Sequence, residues 1–237
     1  MYGYGYYGWG MDPTILLLVI GMLLSLAASA KLRSTFAVYK KVRSHSGITG
    51  AEAAQRILRA AGITDVQVVP IRGSLTDHYD PRTKTVNLSQ SVYGATSVAA
   101  IGVAAHECGH AMQDNEGYAP LRFRSALVPV ANFGSSLSWP LILLGLVFGG
   151  LGSPLVEIGI LMFSLAVLFQ LVTLPVEFNA SARAVRLLDS TGILRGEEVG
   201  YTKQVLGAAA LTYVAAAAGS ILQLLRLIIL FGGRRDD

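Results

Sequence analysis

Two histidines four residues apart, His106 and His110, enclose Glu107 in the run SVAAIGVAAHECGHAMQ. The run reads as a helix. Positions i and i+4 share one helical face a turn apart, so two imidazoles there can close on one small cation. Glu107 lies three residues before His110, on the neighbouring turn beside such a cation, where a carboxylate can take a proton from water. The chemistry this spacing predicts is zinc-dependent hydrolysis of a peptide bond. The bland alternative is a pair of satisfied core histidines beside a surface glutamate. Three ionisable groups on a buried helix need a partner, which favours the metal.

A catalytic zinc takes three protein ligands and keeps one position open, so a third ligand is required. The other two histidines lie upstream. His45 falls in a basic segment and is expected to be solvated. His78 falls beside a predicted turn, where it either serves the oxyanion or substrate or is an ordinary surface residue. The spacing H-E-x-x-H-x-x-G-x-x-H fails because Glu116 occupies the last histidine position. Asp114 and Glu116 read as the polar end of the helix. The strongest downstream candidate is Glu177, in LPVEFNASARAVRLLDSTG. Pro175 is expected to end or kink the apolar run before it, and the helix that follows carries Glu177, Ser181, Ala184 and Leu188 on one face. The alternative for Glu177 is a carboxylate favoured by a helix N-terminus. Arg183 is a candidate for pairing with substrate carbonyls or a C-terminal carboxylate, and Arg186 is expected to be solvated or at lipid headgroups. Cys108, the only cysteine, excludes an intrachain disulfide; it points away from the histidine face and is expected to pack as a small apolar residue.

The elements that hold these residues are mostly apolar. Of 237 residues, 52% are hydrophobic and 14% charged, too apolar for an ordinary soluble domain. The length allows one modest globular part plus a few membrane spans. Thr14 to Ala30 is an uncharged run with no basic residue before it and Lys31, Arg33, Lys40, Lys41 and Arg43 after it. That order is the reverse of a secretory signal, so residues 1–30 read as a Tyr/Gly leader followed by an uncleaved anchor with its N-terminus outside. A helical hairpin is expected over 126–175, with Pro129 and Pro140 inside and an uncharged GGLGSP linker. The segment 204–237 is a fourth apolar stretch, interrupted by Gly219, Ser220, Gln223 and Arg226; a span is the favoured reading, against packing on other helices or re-entry. Residues 31–125 hold 12 Lys/Arg against 7 Asp/Glu, which places this part, and the 176–203 segment after the hairpin, in the cytoplasm. Basic residues are not clustered with aromatics, so no nucleic-acid partner is expected.

Within 31–125, Thr49-Gly50-Ala51-Glu52 matches a capping box that starts a helix ending at Gly62. Val66 to Ile71 reads as a strand. Leu75 to Tyr79 and Lys84 to Leu88 flank Asp80-Pro81-Arg82-Thr83, a type I turn, giving a β-hairpin before the motif helix. The strand around Thr85 to Leu88 is the candidate edge for pairing with extended substrate; a plain structural hairpin is the alternative. The predicted fold is a mainly α membrane protein with about four transmembrane helices and a small α+β zincin-like part.

The chain resembles the YugP-type neutral zinc metallopeptidases of bacterial membranes. The resemblance covers nearly the whole length and rests on the Tyr/Gly leader before DPT, LTDHYDPRTKTVNLS, AAHECGHAMQ, YAPLRFRSALVPVANFGS and LPVEFNASARA. More distantly the chain is similar to the HtpX and CAAX-prenyl-protease group, which carries a ligand glutamate in E-[FY]-x-A-D. The resemblance implies His106, His110 and Glu177 as ligands of one Zn2+ per chain, Glu107 as general base, and a multi-pass protein of the bacterial inner membrane. Here EFNAS carries Ser181 where the distant group has Asp, so Asn179 or Ser181 is expected to hold a ligand histidine instead. The functional expectation is an endopeptidase with its site at the cytoplasmic membrane face, acting on a peptide or membrane-protein substrate. The alternative class is a non-catalytic membrane scaffold with a structural zinc site, which would not need Glu107. A transporter is disfavoured because, apart from Glu157, the spans hold few ionisable groups.

Overall fold

The computed structural model describes residues 12–232. The Tyr/Gly leader and the Arg234-Arg235 pair lie outside the described residues. The elements, in chain order, are α1 (Ile15–Tyr39), α2 (Gly50–Ala60), β1 (Gln67–Ile71), β2 (His78–Asp80), β3 (Thr85–Ser89), α3 (Gln90–Tyr93), α4 (Val98–Asn115), α5 (Ala119–Gly149), α6 (Pro154–Ser190) and α7 (Glu197–Phe231). Helices α1, α5, α6 and α7 are each long and apolar enough to cross a membrane. The chain is a mainly α membrane protein with a small α+β part.

The chain divides into two compact units. One draws on the chain up to Leu26, Pro129–Gln170 and the chain from Ala215. Its helices carry outward-facing Leu16, Val147, Phe148 and Leu161, each at least 60% exposed, as a lipid-facing surface requires. Small residues let its helices approach closely. A methyl group on Gly21 would stand 3.1 Å from Gly219 Cα, and one on Gly159 would meet the Ser138 carbonyl at 2.8 Å. Arg226, which interrupts the apolar pattern of α7, reaches Asp12 at 3.6 Å.

The other unit, Ala27–Val128 with Leu171–Val214, contains the sheet and α4. Thr49 caps α2 with the expected reciprocal pair, its hydroxyl accepting from Glu52 N–H while the Glu52 carboxylate accepts from Thr49 N–H. Ser97 caps α4. The α2 stripe of Ala54, Ile57 and Leu58 packs with Val86, Leu88, Ile101, Ala105, Cys108 and Leu188 in one buried core.

The sheet order is β1-β3-β2, with β1 parallel and β2 antiparallel to β3. This corrects the expected edge: Thr85–Ser89 is the central strand, because the chain returns from β2 to lay β3 along β1. The free edge of the hairpin belongs to β2. A second correction concerns Pro175: of the two outcomes expected there, the helix does not end, and α6 runs through it to Ser190. Membrane helices tolerate an internal proline when neighbouring groups take up the freed carbonyl.

Candidate metal centre

Helix α4 presents His106 and His110 one turn apart, their rings 4.8 Å apart and nearly perpendicular. Across from them α6 presents Glu177, 3% exposed. One carboxylate oxygen, Glu177 Oε2, stands 3.2 Å from His106 Nε2 and 3.5 Å from His110 Nε2. The three ligand atoms all lie within 4.8 Å of one another. Two ligand atoms about 2.1 Å from a common ion at a tetrahedral angle are about 3.4 Å apart. Both nitrogen-to-oxygen separations match that span, and two imidazoles with one carboxylate form a donor set suited to zinc. The residues present therefore fit the ion.

Close approach of α4 and α6 depends on Gly109, between the two histidines. A Cβ there would fall 2.5 Å from the Ala180 carbonyl oxygen. Along α6, Val176, Ala180, Ala184 and Leu188 are fully buried at helical spacing and supply the smooth surface for this contact.

Each histidine is held from behind. Ser181 Oγ lies 3.1 Å from His106 Nδ1. Gln113 Oε1 lies 3.0 Å from His110 Nδ1. With Nε2 turned to the metal position, each Nδ1–H donates to its partner, which fixes tautomer and ring orientation. Gln113 is itself fully buried and donates from Nε2 to the Val176 carbonyl and to Asn179 Oδ1, both at 2.9 Å. Asn179 Oδ1 also accepts from Arg183 Nε at 2.7 Å, and Arg183 Nη1 reaches Glu116 at 2.6 Å. Burial opposes a charged His110, yet its bond to Glu177 and the charges of Glu107 and Glu177 raise it above the ordinary histidine range. That negative field is one that also favours a divalent cation.

Of the expected site residues, His106, Glu107, His110, Glu177 and His78 line a single cleft of about 470 Å³. Glu107 is 7% exposed. His78 belongs to β2, and its Nδ1 lies 2.9 Å from the Thr76 carbonyl oxygen. Ser181 and Asn179 stand behind the ligands. Arg183 is not among the cleft residues: Asn179, Glu116 and the Tyr118 ring occupy its guanidinium. Cys108 sits on the opposite side of α4, its Sγ 3.6 Å from the Ala54 carbonyl oxygen, and burial pushes its thiol up.

Sequence reasoning missed four contributors. Gln113 is three residues after His110 on the same helix, and a glutamine on an otherwise apolar face was the available signal. Gly109 carries no signal of its own in the motif, whose H-E-x-x-H pattern leaves its position open. Arg124 and Tyr213 enter the cleft from α5 and α7, with Arg124 Nη2 3.8 Å from Glu177 Oε1 and Arg124 Nε buried without a partner. No local pattern connects these two residues to the motif.

The comparisons place the chain among zinc metallopeptidases. The model of the family described as "Putative neutral zinc metallopeptidase" matches residues 14–232. The chain is 49% identical over 223 residues to a curated protein of Bacillus subtilis (strain 168) named "Putative membrane protease YugP", covering 94% of this chain and 98% of that protein. No solved structure matches.

Proposed function

Since the chain belongs to this family of neutral zinc metallopeptidases, we propose that it is a membrane-integrated endopeptidase of the gluzincin type. Its ligands are His106, His110 and Glu177, and its general base is Glu107. One zinc ion per chain, when bound, supplies the Lewis acidity that makes water a nucleophile near neutral pH and polarises the peptide carbonyl. The observation that carries this reading is the meeting of both imidazoles on one buried carboxylate oxygen, beside Glu107 in an open cleft.

The chain's own residues then divide the work. Glu107 accepts the proton of the attacking water and returns it to the leaving amine. Arg124 and Tyr213 offer a guanidinium and a hydroxyl to the carbonyl oxygen as it gains negative charge. The free edge of β2, which also lines the cleft, offers main-chain groups to an extended substrate. His78 on that strand is available to the substrate or to the oxyanion. The basic residues that follow the first apolar run favour a cytoplasmic site in a bacterial inner membrane.

The test is peptide cleavage by the purified, zinc-loaded full chain in detergent or vesicles. Chelator-sensitive cleavage, abolished by Glu107→Gln with zinc retained, is the expected result. Stoichiometric zinc with no cleavage of any peptide would instead favour a scaffold with a structural site.

A further inference from the structure

The metal centre opens onto two cavities. One is the cleft already described. The other, of about 130 Å³, shares Asp77, His106, Glu107 and Tyr213 with the cleft. Beyond those four residues its walls are apolar: Leu32, Phe36, Leu75, Val103, Val205 and Ala209. It therefore begins at the base and a ligand histidine and ends among aliphatic and aromatic side chains. Phe36 and Val205 are buried and make this end firm.

Leu75 forms the apolar wall contributed by the loop before β2, and its backbone is unusual. Its φ is +57°, a left-handed conformation that costs a non-glycine residue and persists only where the surroundings fix it. The fixing contacts are visible. The Asp77 carboxylate accepts from Ser89 N–H at 2.7 Å and Ser89 Oγ at 3.0 Å, tying the loop to β3. Thr76 Oγ1 donates to the Arg72 carbonyl at 3.2 Å. The loop thus spends local strain to hold a large apolar side chain, itself 41% exposed, beside the reacting centre.

We propose that this recess is the specificity pocket of the enzyme and takes the apolar side chain of the residue next to the scissile bond. The inference rests on the endopeptidase reading above and deepens it. A peptide lying along β2 with its carbonyl at the metal position places a neighbouring side chain at the mouth shared by Glu107 and Tyr213. The volume suits an aliphatic side chain of the leucine class. A charged side chain would be desolvated there without a partner among the distal walls. The substrates are then apolar at that one position, whatever stands elsewhere.

The test uses two arms on the zinc-loaded full chain. In the first, peptides differing only by leucine, glycine or aspartate beside the cleaved bond are compared by kcat/KM. Leucine is expected to exceed glycine by about tenfold to a hundredfold, and aspartate to fall below glycine. Ala209→Phe, which fills the recess, and Leu75→Gly, which removes its loop wall and suits the left-handed backbone, each bring the leucine-to-glycine ratio towards one. In the second arm, binding of hydroxamates carrying isobutyl or hydrogen beside the chelating group is measured without turnover. The isobutyl probe binds more tightly to the wild type, and both variants remove the difference. Equal affinities for the two probes, or ratios untouched by both substitutions, overturn the recess assignment. Discrimination between the probes in a protein that cleaves no peptide supports the recess and overturns the endopeptidase reading alone.

Discussion

Ser181 Oγ stands 3.1 Å from His106 Nδ1, on the helix that also carries Glu177, one turn away. The same helix therefore supplies a metal-ligand candidate and the group that orients a second one. In the distantly similar proteases an aspartate occupies this position of the motif. A hydroxyl offers a neutral acceptor, so it steers the imidazole without adding charge to a site already holding Glu107 and Glu177. Ser181→Ala is expected to weaken zinc binding about tenfold, and Ser181→Asp to restore or tighten it. Competition with a calibrated chelator measures both. Equal affinity in all three proteins would remove Ser181 from the site.

Gln113 has more to lose. It bonds to His110, to the Val176 carbonyl and to Asn179 from a fully buried position. Gln113→Leu keeps the volume but leaves the His110 N–H without its acceptor and takes one donor from the Val176 carbonyl and one from Asn179. Zinc affinity is expected to fall about 10-fold to 100-fold, with a lower unfolding midpoint. Chelator competition and thermal unfolding of the same sample check both effects.

On the proposed reading, Glu107 acts in catalysis and not in metal binding. Glu107→Gln preserves shape and removes the base, so turnover is expected to drop about 10²-fold to 10⁴-fold while zinc content stays at one per chain. His106→Ala and Glu177→Ala are expected to lose both. Metal analysis beside a cleavage assay distinguishes these patterns; zinc retained on losing Glu177 would send the ligand assignment elsewhere.

The motif helix, the capped helix before the sheet, the hairpin and the four apolar helices were legible because each follows a local rule: i, i+4 spacing, a capping box, a proline turn, or a long uncharged run. Sheet order was not legible, since the pairing of β1 with β3 depends on a return of the chain that short-range pattern does not encode. Continuity of α6 through Pro175 was likewise hidden, because proline's local cost says nothing of tertiary compensation. Arg183 illustrates the limit best. Its charge suggested substrate, yet Glu116 and Asn179 claim it, and only the packing of α6 beside the end of α4 reveals that.

Gly109 tests how tightly α4 must lie on α6. An alanine methyl would stand 2.5 Å from a backbone oxygen, which cannot rotate away. Gly109→Ala is expected to cost about 1–3 kcal/mol and to widen the gap between Glu177 and the histidines, lowering zinc affinity as well. A variant with unchanged unfolding midpoint and metal content would show that the helices have slack there.

Tyr213 is expected to act on rate and not on metal. Tyr213→Phe should lower kcat about tenfold to a hundredfold with zinc content unchanged, as loss of one donor to a developing oxyanion does. A fall in zinc content of the same size would instead make Tyr213 a support for Glu177.

The β2 edge is tied to α4 through Asp114, whose carboxylate accepts from Lys84 Nζ at 2.7 Å and from Tyr79 Oη at 2.8 Å. Burial alone would raise the Asp114 carboxyl, but these two bonds and the charges of Lys84 and Arg122 hold it below the usual carboxylate range. A carboxylate depressed in the folded state contributes stability that is complete above its unfolded value, about pH 4. That stability disappears as the pH falls through the lower native value. Lys84 behaves oppositely: its bond to Asp114 raises it, so its contribution is complete below about pH 10.4 and is lost as the pH climbs through the raised native value. Both side chains are partly solvated, at 39% for Lys84 and 28% for Asp114, so screening keeps the net effect near 1 kcal/mol at neutral pH. Asp114→Asn is thus expected to lower stability by about that amount at pH 7 and to flatten the acid limb of a stability-against-pH curve. It should also raise KM more than it lowers kcat, since the loosened hairpin carries the strand offered to substrate while the ligand residues keep their places. A wild-type acid limb in the variant would mean that Asp114 is not the group that titrates there.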